Sequence, residues 1–191
     1  MKFVALLFFV SSFCFGQKQI EINFQTENDS TLIQYLKENK IDFSINQIAT
    51  LKGIRTFGEY SRSNKLVVPE AYFYNSNGEL IKNRGKGTYC GAEIKKIAKI
   101  SKMKSDPNQT LQGFLKDIVI IDKSEFIEER VDVYIVITWA KFLSEESQTS
   151  LNWFSSLIKQ DKLKIKFLLL NLDIQESWRL TDDQKKYLGI I

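Results

Sequence analysis

The run Val131 to Trp139, VDVYIVITW, restricts the fold more than any other stretch of this chain. A strand with one wet face would alternate apolar and polar residues. This run is almost unbroken in apolar and β-branched side chains, so it predicts a strand buried on both faces. Ile165 to Leu172, IKFLLLNL, predicts a second. Between them Ser144 is expected to cap a helix reaching Gln160, with Leu151, Phe154, Leu157 and Ile158 turned inward. Two apolar strands joined by a helix imply a parallel pair with a right-handed crossover. Thr181 to Gln184, TDDQ, forms a capping box for a terminal helix. Residues 117–191 therefore read as a β-α-β-α half.

The first half carries different signals. Ile20 to Phe24 alternates like a strand, and Ser30 is expected to cap a helix to Asn39 with Leu32, Ile33, Tyr35 and Leu36 on its apolar face. From Ile41 to Ser63 the periodicity weakens, with Gly53 and Gly58 as breakers around a short helix that ends near Tyr60. Val68-Pro69 then biases the chain toward an extended conformation. Ala71 to Tyr74 supplies a strand, Asn77-Gly78 a tight hairpin turn, and Glu79 to Lys82 the returning strand. Ala92 to Ile100 is an amphipathic helix with Ile94, Ile97 and Ala98 on one side and Lys95, Lys96 and Lys99 on the other. Residues 17–101 thus form a hairpin-and-helix half, and the polar stretch at 102–116 reads as a linker. The fold class expected is α/β, a mixed sheet flanked by helices.

The amino terminus adds a destination. Lys2 precedes an apolar run from Phe3 to Val10, followed by Cys14-Phe15-Gly16, which reads as a signal peptide over residues 1–16 with cleavage before Gln17. Phe13 is too large for the position before a lipidated cysteine, so a periplasmic or extracellular protein is expected in preference to a lipid-anchored one. No later stretch is long and charge-free enough to span a bilayer. Removing the signal leaves Cys90 as the only cysteine, and the chain has no histidine. That pair of absences argues against disulfides, the usual zinc sites, Ser-His-Asp triads and Cys-His pairs. No metal or other cofactor is expected. The adjacent carboxylates Glu128-Glu129 and Glu145-Glu146 suit solvated helix starts better than acid-base catalysis.

A resemblance emerges once these pieces are set together. VVPEAYFYNSNGELIKN followed by GAEIKKIAKI resembles the carboxy-terminal half of a thioredoxin fold, in which a proline, often cis, opens a strand, a glycine turn reverses it and a helix closes the sheet. YIVITWAKFLSEES likewise resembles the first strand and active-site turn of that fold, with Trp139-Ala140 where Trp-Ala precedes the redox motif. Leu143 and Glu146 stand where the family has its two cysteines, so the resemblance implies a thioredoxin-like protein without dithiol exchange. The two halves occur in reversed order. The chain is then either a circularly permuted single domain or two small α/β units.

What the resemblance implies for function centres on Pro69. In redox members the proline shapes the surface that receives an extended substrate, so Pro69 marks either an inherited peptide-facing groove or simply the start of an edge strand. Trp139, at the end of a buried strand where open α/β sheets expose their ligand crevice, joins Pro69, Phe142 and Tyr89 as binding candidates. Cys90, ahead of a helix and near Lys86, is either a small packed side chain or a reactive thiol of a single-cysteine oxidoreductase or peroxiredoxin-like enzyme. Lys82 to Lys104 holds eight basic residues and one acid, Glu93. That excess is either a solvated helix face or a patch for anionic surfaces. No nucleic-acid motif is present. The function expected is a non-catalytic binding module for an extracytoplasmic protein or peptide.

Overall fold

The computed structural model describes residues 24–82, 97–100, 103–126 and 130–190. In chain order these form β1 (Thr26–Glu27), α1 (Asp29–Glu38), β2 (Ile48–Leu51), α2 (Ile54–Arg62), β3 (Glu70–Asn75), β4 (Glu79–Ile81), α3 (Ile97–Ile100), β5 (Ser105–Thr110), α4 (Leu111–Leu115) and β6 (Ile118–Ile120). There follow β7 (Val133–Trp139), α5 (Ser144–Leu157), β8 (Ile165–Asn171), β9 (Ile174–Gln175) and α6 (Asp182–Leu188). Residues 1–23, 83–96, 101–102, 127–129 and 191 lie outside the description. They include the signal-peptide reading, Tyr89, Cys90, Glu128-Glu129 and most of the lysine cluster.

All seven residues of β7 are buried, as its unbroken apolar run requires. Alternate side chains serve opposite faces. Val133, Ile135, Ile137 and Trp139 meet Leu32 and Leu36 of α1 and Leu151, Phe154 and Leu157 of α5. Tyr134 and Val136 meet Phe57 and Tyr60 of α2 and Leu111 of α4 on the other side. The sheet is thus the middle layer of three, and each half of the chain contributes helices to both outer layers.

Seven strands run in the order β5-β4-β3-β7-β8-β2-β6. β7 is parallel to β8, from Val133 opposite Ile165 to Trp139 opposite Asn171, and β8 is parallel to β2. β3 is antiparallel to β7, pairing Glu70 with Thr138 and Asn75 with Val133. The α/β class and the mixed sheet are as expected, and the strands of the two halves interleave in a single sheet.

Several local expectations change. The stretch read as a linker carries β5 and α4. Its composition looked like a linker because β5 is an edge strand bearing Pro107, which has no N–H for the ladder, and a register shift at Glu79/Leu80 interrupts its pairing with β4. It is pinned instead by Asp106, 6% exposed, which takes Lys82 Nζ at 2.5 Å. β2 has no periodic signature because four residues are too few for one, although all four are buried. The α1 cap is Asn28 in a capping box with Thr31, not Ser30. Gly58 lies inside α2 rather than breaking it. In the hairpin turn only Gly78 has positive φ (+74°), while Asn75 Oδ1 accepts the N–H groups of Asn77 and Glu79. Ser144 opens α5 without capping it, and the helix ends at Leu157. The Thr181–Gln184 box is present as expected.

Candidate functional site

Parallel strands β7 and β8 end together, and the chain leaving β7 must turn sharply into α5. Ala140 makes that turn possible by closing a ring with Ser147. Its N–H donates to Ser147 Oγ at 2.8 Å, and the same hydroxyl donates to the Ala140 carbonyl at 2.6 Å. Ser147 is fully buried, so the pair is shielded from competing water.

Asp173 fixes the next part of the turn. It sits just beyond β8, is 2% exposed, and accepts the Lys141 N–H at 2.8 and 3.0 Å and the Phe142 N–H at 3.3 Å. Asn171 Nδ2 donates to it at 2.6 Å. Asn171 is held in turn, its Oδ1 accepting from Gln175 Nε2 at 2.9 Å and from the Asp173 N–H at 3.0 Å. Burial pushes the Asp173 carboxyl above its usual 3.8, against the pull of its Lys141, Asn171 and Phe142 hydrogen bonds, and nearby Glu27 pushes the same way. Glu27, 5% exposed, is compensated by Lys141 Nζ and by the Thr31 hydroxyl. A buried carboxylate is tolerated only when paired in this manner. Glu27, Lys141 and Ser147 belong to no motif of the sequence, and the fold alone brings them to this turn.

On the other side of β7 the Val68–Pro69 peptide bond is cis. Because Glu70 pairs with Thr138, Pro69 falls beside Trp139 and the start of the turn. Thr138, fully buried, clasps this corner: its hydroxyl donates to the Val67 carbonyl at 2.7 Å and accepts the Glu70 N–H at 3.1 Å. Thr138→Val keeps the shape and removes the clasp. We expect it to cost about 1–2 kcal/mol in urea unfolding, with faster amide exchange at Glu70.

Pro69 and Phe142 are both half-buried at this end of the sheet. The Phe142 ring packs edge-on against Phe24, with centroids 4.9 Å apart. No family model, curated protein or solved structure matches this chain. The geometry alone therefore carries the reading of the site. Trp139 does not line the surface as expected: it is fully buried and stacks on Tyr35 at 5.5 Å, because odd positions of β7 point into the core beneath α1 and α5. Tyr89 and Cys90 lie outside the described residues. Leu143 and Glu146 are half-buried and supply no thiol. Among the described residues no cluster of three or more carboxylates, thiols or imidazoles is placed to hold a metal ion, and no helix is long and apolar enough to cross a membrane.

Proposed function

We propose that this is an exported thioredoxin-like protein in permuted strand order, lacking the dithiol, that binds an extended segment of a protein partner at the Pro69–Phe142 corner. The reading is supported by the meeting of two segments distant in sequence: the proline that opens β3 and the turn that follows β7. Export rests on the composition of residues 1–16.

The observation that carries the binding role is the uncommitted main chain at the corner. Among the described residues nothing hydrogen-bonds to the N–H or C=O of Val68, while its neighbours Val67 and Glu70 are engaged by Thr138. Val67 is 40% exposed, and Phe142 is half-buried in the turn that follows β7 at the same end of the sheet. An open donor and acceptor flanked by apolar side chains is what an extended peptide needs to add itself to a fold. The rigid clasp below it means that little ordering entropy is lost on binding.

A panel of unstructured peptides, titrated against the full chain by fluorescence polarisation, tests this. Apolar extended sequences should bind, and Val67→Asp should weaken them by about tenfold or more, as expected for a desolvated contact, while the thermal midpoint stays put. If no peptide binds, or Val67→Asp and Phe142→Ala leave every affinity unchanged, the corner is not a binding site.

A further inference from the structure

A second concavity lies away from that corner, where α2 and α4 flank the hairpin strands. Its volume is about 220 Å³, and Tyr60, Tyr72, Tyr74, Phe114, Lys65 and Asp117 shape it. Strand periodicity explains two of the rings, since Tyr72 and Tyr74 are two apart on β3 and share a face. Phe114 of α4 tilts against both, with centroids 6.4 and 6.2 Å away. Tyr60 of α2 contributes the fourth ring, and its hydroxyl donates to Asp117 Oδ2 at 3.2 Å.

Two observations give this cleft a chemical preference. The first is that a cation already sits at it: Lys65 Nζ lies 5.4 Å from the centre of the Tyr60 ring. The second is the state of the phenols. Burial raises the Tyr60 and Tyr74 hydroxyls far above the range where they ionise, Asp117 adding to the effect at Tyr60. The phenols thus remain neutral; Tyr60 and Tyr74 are themselves buried, so the ring surface a ligand meets is mainly that of half-buried Tyr72 and Phe114, and Asp117 is the acidic side chain lining the cleft. Neutral aromatic faces beside one carboxylate attract an organic cation.

We propose that the Tyr60–Tyr72–Tyr74–Phe114 cleft binds an alkylated ammonium group, with Lys65 as the intramolecular cation that such a ligand displaces. A trimethylammonium head is small enough for the space. It is also weakly hydrated and makes no hydrogen-bond demand, so it exploits ring faces better than a lysine ammonium does. Lys65 is exposed and can swing into solvent when displaced.

Choline and its uncharged isostere 3,3-dimethylbutan-1-ol, titrated separately into the full chain with amide chemical shifts as readout, separate charge recognition from simple apolar filling. Choline should shift Lys65, Gly113 and Asp117 saturably, at concentrations about tenfold or more below those the isostere requires. Lys65→Met removes the competing cation and should tighten choline by about fivefold, whereas Asp117→Asn should weaken it by a similar factor. Half-buried Tyr72 changed to Leu should weaken it too, with an unchanged fold reported by the remaining amide spectrum. Equal affinity for choline and the isostere overturns the proposal. So does failure of choline to saturate both the natural chain and Lys65→Met.

Discussion

Trp139→Ala should lower stability by about 4 kcal/mol, the range for deleting a large buried aromatic, and bring the thermal midpoint down by roughly 10 °C for a chain of this length. The side chain is fully buried, and its loss removes the stacking partner of Tyr35 and opens a cavity between β7, α1 and α5. Among the described residues its indole Nε1 has no hydrogen-bond partner. Trp139→Phe should therefore cost much less, about 1–2 kcal/mol, since volume is lost without any broken polar contact. Paired urea titrations of the two variants measure the difference. If Trp139 were a surface ligand platform, the alanine variant would be nearly neutral in stability.

Asp173→Ala should cost about 3 kcal/mol, because the N–H groups of Lys141 and Phe142 and the Asn171 amide lose their acceptor in a dry setting. The pH dependence has a definite sign. Burial, the largest influence, raises the folded pKa above 3.8, so between 3.8 and the raised value the folded state holds the proton more tightly than the unfolded chain. This group's contribution is fullest below 3.8 and is lost as pH climbs through the folded value. Measured against Asp173→Asn, which cannot ionise, the natural protein should lose relative stability as pH rises through that window. An advantage that grows with pH would mean that the turn's hydrogen bonds outweigh burial.

Legibility in the sequence followed how much of the outcome was local. β7 and β8 could be read directly, because burial on both faces leaves an apolar run that no surface strand shows. The hairpin was legible through Gly78. β5 was not, since an edge strand whose buried residue is Asp106 looks polar throughout, and β2 is stabilised wholly by strands more than sixty positions downstream. The corner was half legible. Pro69 follows from the resemblance and Phe142 from its place after a buried strand, and both lie at the same end of the sheet, whereas the orientation of Trp139 depended on which face α1 would cover. The ionic support was invisible for the same reason: Glu27 and Lys141 are 114 residues apart, and no local pattern announces that two such charges will be buried together.

The strand order has a consequence for how the chain comes off the ribosome. Two of its inner strands, β7 and β8, are synthesised after every other member of the sheet. β2 and β3 emerge early yet never touch one another: β3 lacks its neighbour until Trp139 has been made, and β2 until Asn171. A nascent molecule interrupted before Val133 has outer strands with nothing between them, and one interrupted before Ile165 still lacks the strand that joins the two sides. It should stay open, sensitive to proteases and available to chaperones, until nearly its whole length is complete.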